Sequence, residues 1–249
     1  MRTDILHHRI VRDIEVMIDA IDDVLPVKMP LQYEKRTMNL GSFVKRLNGA
    51  TEACNVFNEI CVDETLQKSA LVTSGFWYPE EDRIEDGNPA DVRIFWHTHP
   101  DCHRISITST IWHRRRYVFW ERLMHELVHR HQMVFRQDDS LPKTFRSSSD
   151  NPKIKEEQDY YSNYDELEAY AHDAALEMLT WWKDLPYRQA MAASVGMRTP
   201  IASTYESYTS QFEPGHLVRT HFKRKLQSWY KVMSLTPEFY DRLALPKLV

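Results

Sequence analysis

Apolar residues recur at helical spacing near the start of the chain, at Ile10, Ile14, Met17, Ile18, Ile21 and Leu25. That stripe predicts an amphipathic helix over 4–25, ended by Pro26 and Pro30. A second amphipathic piece is predicted over 41–62, with Phe43, Val44, Leu47, Val56, Phe57 and Ile60. The pattern then changes. Residues 69–78 and 91–98 are rich in β-branched and aromatic side chains, and 104–111 alternate apolar with small polar positions. These three stretches predict strands. The charged segment 79–90 and a turn at 99–103 connect them, so a small, mostly antiparallel sheet is expected. Helical spacing returns over 115–136, in the stripe Trp120, Leu123, Met124, Leu127, Val134 and Phe135. Residues 137–159 are polar, contain Pro142 and Pro152, and predict a long loop. Another helix is predicted over 164–182. The remainder predicts two or three helical pieces broken at Pro186, Pro200, Pro214 and Pro237.

Composition narrows the class. Hydrophobic residues make up 42% and charged residues 27% of the 249, which suits a folded chain rather than a disordered one. Only 6 glycines are present, which argues against glycine-rich nucleotide loops. The net charge of −4 does not favour a dedicated nucleic-acid binder. Three cysteines, Cys54, Cys61 and Cys102, make no disulfide framework and fit a reducing compartment. The first residues lack the apolar core of a signal peptide, and no stretch approaches the roughly 18 apolar residues of a membrane span. A cytoplasmic protein with no membrane partner is therefore expected. The anomaly is histidine, with 12 residues, several of them clustered.

The chemistry concentrates in His125-Glu126-Leu127-Val128-His129, an H-E-x-x-H motif inside the predicted 115–136 helix. Histidines at i and i+4 share one helical face, so both imidazoles can reach one metal ion. The glutamate beside them suits a general base acting on a metal-bound water. The motif predicts Zn²⁺ as cofactor, His125 and His129 as ligands and Glu126 as the catalytic base.

A catalytic zinc needs a third protein ligand. The candidates lie on the 164–182 helix, whose apolar stripe is Leu167, Ala171, Ala174, Ala175, Met178 and Trp182. Glu168 lies about 70° from the centre of that stripe, His172 about 110°, and Glu166 and Asp165 about 130°. Glu168 is therefore the expected third ligand, with His172 second. An oxyanion needs a tyrosine or histidine donor, and Tyr161, Tyr164, His172 and His221 remain open as candidates.

A sheet, an H-E-x-x-H helix and a glutamate on a later helix resemble the zincin metallopeptidases in their compact gluzincin form. Glu166-Leu167-Glu168-Ala169 resembles the E-x-E-A helix of the ImmA/IrrE-type metallopeptidases. There the glutamate before the alanine binds metal, which maps onto Glu168. The segments HELVHRHQ and YDELEAYAHDAA also resemble metallopeptidase-like proteins of bacteriophages. The resemblance covers residues 90–182. It departs from the ImmA pattern in a longer gap between motifs, in Tyr170 where asparagine is usual, and in lacking an evident helix-turn-helix.

The resemblance implies an α+β, zincin-like fold: a small antiparallel sheet packed on the H-E-x-x-H helix and the glutamate-bearing helix, with further helices at both ends. Residues 1–50 are expected to form an N-terminal helical arm and 51–249 the zincin-like domain. The function expected is zinc-dependent cleavage of a protein or peptide substrate. A different class is also open, a structural or interaction protein, such as a phage component of host cytoplasm or virion, that keeps the metal only for stability.

Other constellations point elsewhere with less support. His97-Thr98-His99-Pro100 matches the H-[ST]-H-P element of JAMM-type metallo-isopeptidases, but Ile107 and Thr110 stand where that pattern needs Ser and Asp. His97, His99, Cys102 and His103 read as a polar hairpin turn. The basic runs 114–116 and 223–225 read as solvated helix ends, and Trp181, Trp182 and Trp229 as core or interface anchors.

Overall fold

The structure is a computed structural model. It describes residues 2–24, 37–39, 59–63, 69–76, 90–97, 104–106, most positions of a helix between 117 and 132, Phe145, 151–195 and 204–243; within the strands only the backbone is described. The chain divides into two compact units. One comprises residues 1–9 and 127–238, the other 10–126 and 239–249.

Helix α1 spans Thr3–Val24. Leu6, Ile10, Ile14, Met17 and Ile18 are buried on one side of it, as the stripe predicts. Five strands follow: β1 (Thr37–Asn39), β2 (Glu59–Asp63), β3 (Ser69–Phe76), β4 (Ala90–His97) and β5 (Arg104–Ser106). Strands β2, β3 and β4 pair antiparallel in that order, with Val72 opposite Val62 on one side and Ile94 on the other. Strand β1 pairs antiparallel with β5. The predicted amphipathic piece over 41–62 thus ends in strand. Ile60 and Val62 follow the period of a strand, and a long window averages that signal away.

Helix α2 carries the H-E-x-x-H motif, and every described position between 117 and 132 is helical. Helix α3 (Pro152–Tyr161) stands where a loop is predicted. The proline that suggests a break occupies the first helical turn, where its missing N–H is no loss, and Asn151 caps it by accepting from the Lys153 N–H. Helices α4 (Tyr164–Trp182), α5 (Tyr187–Ser194), α6 (Thr204–Thr209), α7 (Leu217–Met233) and α8 (Pro237–Leu243) complete the chain. The proline breaks at 186, 214 and 237 hold; Pro200 lies outside the described residues.

The zincin-like α+β class is corrected. Among residues whose side chains are described, 83% are helical and none lies in a strand or sheet. The packing of α4 gives the reason. All its side chains from Leu167 to Leu179 are buried except Tyr170. A helix buried on every side, its polar Glu168, His172, Asp173 and Glu177 included, is covered by several neighbours rather than laid on one sheet face. Here α3, α5, α6 and α7 surround it. Aromatic rings fill the gaps: Tyr208 stacks on Phe222 with centroids 4.2 Å apart, and Tyr161 and Tyr170 pack at 5.5 Å. The Tyr208 hydroxyl donates to the Tyr161 carbonyl, which gives the buried phenol its partner. Among the described residues no helix is long and apolar enough to cross a membrane.

Candidate metal centre

His125 and His129 lie one turn apart on α2, so helix geometry alone brings their rings to one face. The boundary between the two units falls inside this helix, after Glu126. His129 and Glu166 belong to the same unit. His125 is 5% exposed, and the His129 side chain 17%.

The facing carboxylate comes from the start of α4. Asn163 caps that helix by accepting from the Asp165 N–H at 2.9 Å. Glu166 thus occupies the third helical position, where the helix dipole favours a negative charge. Its Oε1 lies 3.5 Å from His129 Nε2. His125, His129 and Glu166 each offer one ligand atom, all within 4.8 Å of one another, and this buried group could hold a metal ion.

The hydrogen bonds around His129 fit that reading. Its Nδ1–H donates to Gln132 Oε1 at 3.1 Å, while Gln132 Nε2 donates to the Asp165 carbonyl at 3.3 Å. This arrangement leaves the Nε2 lone pair turned toward the carboxylate. Two acceptors 3.5 Å apart repel unless a proton or a metal ion sits between them. Tetrahedral coordination with bonds of about 2.0 Å places ligand atoms about 3.3 Å apart, close to the distance seen.

The carboxylate grouped with the histidines is Glu166 rather than the expected Glu168. Glu168 is 2% exposed, and its Oε1 accepts from Lys225 Nζ of α7 at 2.9 Å. Burial opposes the Lys225 charge, but attraction to Glu168 and hydrogen bonds to Glu168 and Tyr164 outweigh it and raise its pKa. The sequence ranking put Glu166 behind Glu168 because it measured angles from a single apolar stripe, whereas α4 is buried around nearly its whole circumference. The usable signal was Asn163 followed three residues later by Glu166, a capping pattern that fixes Glu166 in the first turn.

Glu126 lies outside the described residues, as do the side chains of His97, His99, Cys102 and His103 and the run 114–116. The four oxyanion candidates make their described contacts elsewhere. Tyr161 packs against Tyr170 and Tyr208, and Tyr164 lies 5.0 Å beneath the Lys225 ammonium. His172 is fully buried, 3.3 Å from Asp173 and edge-on to Trp229 at 4.9 Å. His221 packs on Phe145 at 4.9 Å. In comparisons with known proteins, no family model, no curated protein and no solved structure matches this chain.

Proposed function

We propose that the chain is a zinc-dependent hydrolase of the metallopeptidase type, with His125, His129 and Glu166 as ligands. The observation that carries this reading is the Glu166 carboxylate lying 3.5 Å from His129, which shares a helical face with His125. Two histidines and one carboxylate are a donor set suited to zinc and leave a fourth position for water. A bound zinc ion supplies a water of lowered pKa and a Lewis acid for a carbonyl oxygen. Gln132 holds the His129 ring in the tautomer that ligation requires. Glu126, next to His125 in the motif, takes the proton as general base and returns it to the leaving amine. Glu126→Gln tests the reading: it abolishes peptide hydrolysis and keeps the metal. Hydrolysis at the wild-type rate would overturn the assignment.

A second reading rests on one observation, the burial of His125 at 5% exposure. Structural metal sites are closed to solvent. On that reading Glu126→Gln changes nothing, while His125→Ala costs the fold its metal and its stability.

A further inference from the structure

The second basic run, Lys223-Arg224-Lys225, divides its charges between two faces of α7. Lys225 turns inward to Glu168. Lys223 and Arg224 turn outward, on the stripe Arg219, Thr220, Lys223, Arg224 and Gln227, opposite buried Val218, Phe222, Leu226 and Trp229. Helix α7 carries five Lys and Arg residues and no acid, in a chain whose net charge is −4.

That outward face forms one wall of a groove of about 740 Å³, and α5 forms the other with Arg188. Met191, Ala192 and Val195 of the α5 side give it an apolar lining, and Val195 is 52% exposed. A second hollow of about 380 Å³, which includes Arg219, shares Thr220 and Lys223 with the first. Among the described residues no acidic side chain lines either hollow. Among the described residues none of Arg188, Arg219, Lys223 and Arg224 has a carboxylate partner. Four cations with no carboxylate partner among the described residues thus flank an apolar lining within one unit of the chain.

We propose that this groove binds an acidic polypeptide segment in extended form, with apolar side chains between its carboxylates. Arg219 of the adjoining hollow and Lys223, shared by both, are separated by about 6 Å of helix rise, close to the roughly 6.6 Å between alternate side chains of an extended chain. Carboxylates at alternate positions therefore meet successive cations, and apolar side chains meet Met191 and Val195. A nucleic acid offers no aliphatic side chains for that lining, and its long run of phosphates meets a chain of net negative charge beyond the groove. The proposal goes beyond the metal centre and stands independently of it, because binding is measured without any hydrolysis.

The test is fluorescence anisotropy on the full chain with a short labelled peptide alternating glutamate and leucine. A lysine–leucine peptide and a labelled single-stranded oligonucleotide serve as comparisons. The acidic peptide binds more tightly than either, and its affinity falls with added salt. Arg188→Glu combined with Lys223→Glu raises its Kd by about tenfold or more. Lys231→Glu, on the same helix outside the groove, changes it by less than about twofold. Arg224→Gln, a neutral change at an exposed position, repeats the loss in smaller measure if the charge reversals disturb the fold. Equal binding of the acidic and basic peptides, an unchanged Kd in the groove variants, or tighter binding of the oligonucleotide would each overturn the proposal.

Discussion

Glu166 and Glu168 stand two positions apart on α4 and meet opposite partners, His129 of the candidate metal centre and Lys225 of α7. Two helical positions subtend about 200°, so one carboxylate cannot substitute for the other without turning the helix. The first belongs to a group that could hold a metal ion, and the second to an ion pair that ties α4 to α7.

Glu168→Gln should therefore lower stability and spare the metal. The Lys225 side chain is 17% exposed, and the substitution leaves its charge without a carboxylate. A loss of about 2 kcal/mol is expected, below that of a wholly buried pair because water still reaches the ammonium. Urea unfolding of the metal-free protein checks it. A change near zero would mean that the pair contributes nothing to the fold.

Asn163→Ala removes the cap that sets the turn carrying Glu166. The expected cost is about 1 kcal/mol in stability. Metal affinity should fall with it, because the fraying turn is the one that presents the carboxylate. A competition titration with a chromophoric chelator measures this. Loss of stability with unchanged affinity would separate the cap from the site.

Gln132→Leu acts on the candidate metal centre through His129. It frees the imidazole to rotate and to exchange tautomers, and metal affinity should fall by about 10- to 100-fold. His129→Ala removes the ligand itself and should cost more. Equal affinity in Gln132→Leu and wild type would show that the hydrogen bond does not orient the ring.

His7 adds an acid-sensitive element. Burial, and then the neighbouring His172 and His8, lower its pKa from 6.5 to about 4. Its neutral ring lies 3.4 Å from the Thr236 hydroxyl and edge-on to Trp229. A histidine with a depressed folded pKa lets the unfolded chain bind the extra proton. Stability is therefore full above pH 6.5 and is lost as the pH falls toward 4, by on the order of 3 kcal/mol. His7→Gln should flatten that part of the profile by one proton. An unchanged slope in denaturant titrations across this range would exclude His7 as its source.

Local patterns were legible where one period dominated. The α1 stripe, both ends of the 164–182 helix, and the proline breaks around α5, α7 and α8 follow from spacing and backbone chemistry alone. The antiparallel pairing of β3 with β4 also follows the expected strands, although the class built on it does not describe the helical body. Pro152 suggested a break and is a helix start, because its cap, Asn151, was not weighed with it. Glu168, expected as a ligand, pairs with Lys225, a partner that reading α4 as one-sided does not reveal. The His125–His129 pairing needed only the helix, whereas the choice between Glu166 and Glu168 depended on which neighbours cover α4, and a sequence pattern carries no record of that.

Elemental mass spectrometry on protein purified without chelators, for wild type, Glu166→Ala and Glu168→Gln side by side, tests the central claim most directly. The proposed function predicts about one zinc per chain in wild type and in Glu168→Gln, and a large loss in Glu166→Ala. Zinc retained in Glu166→Ala but lost in Glu168→Gln, or no metal in the wild-type protein, would contradict it.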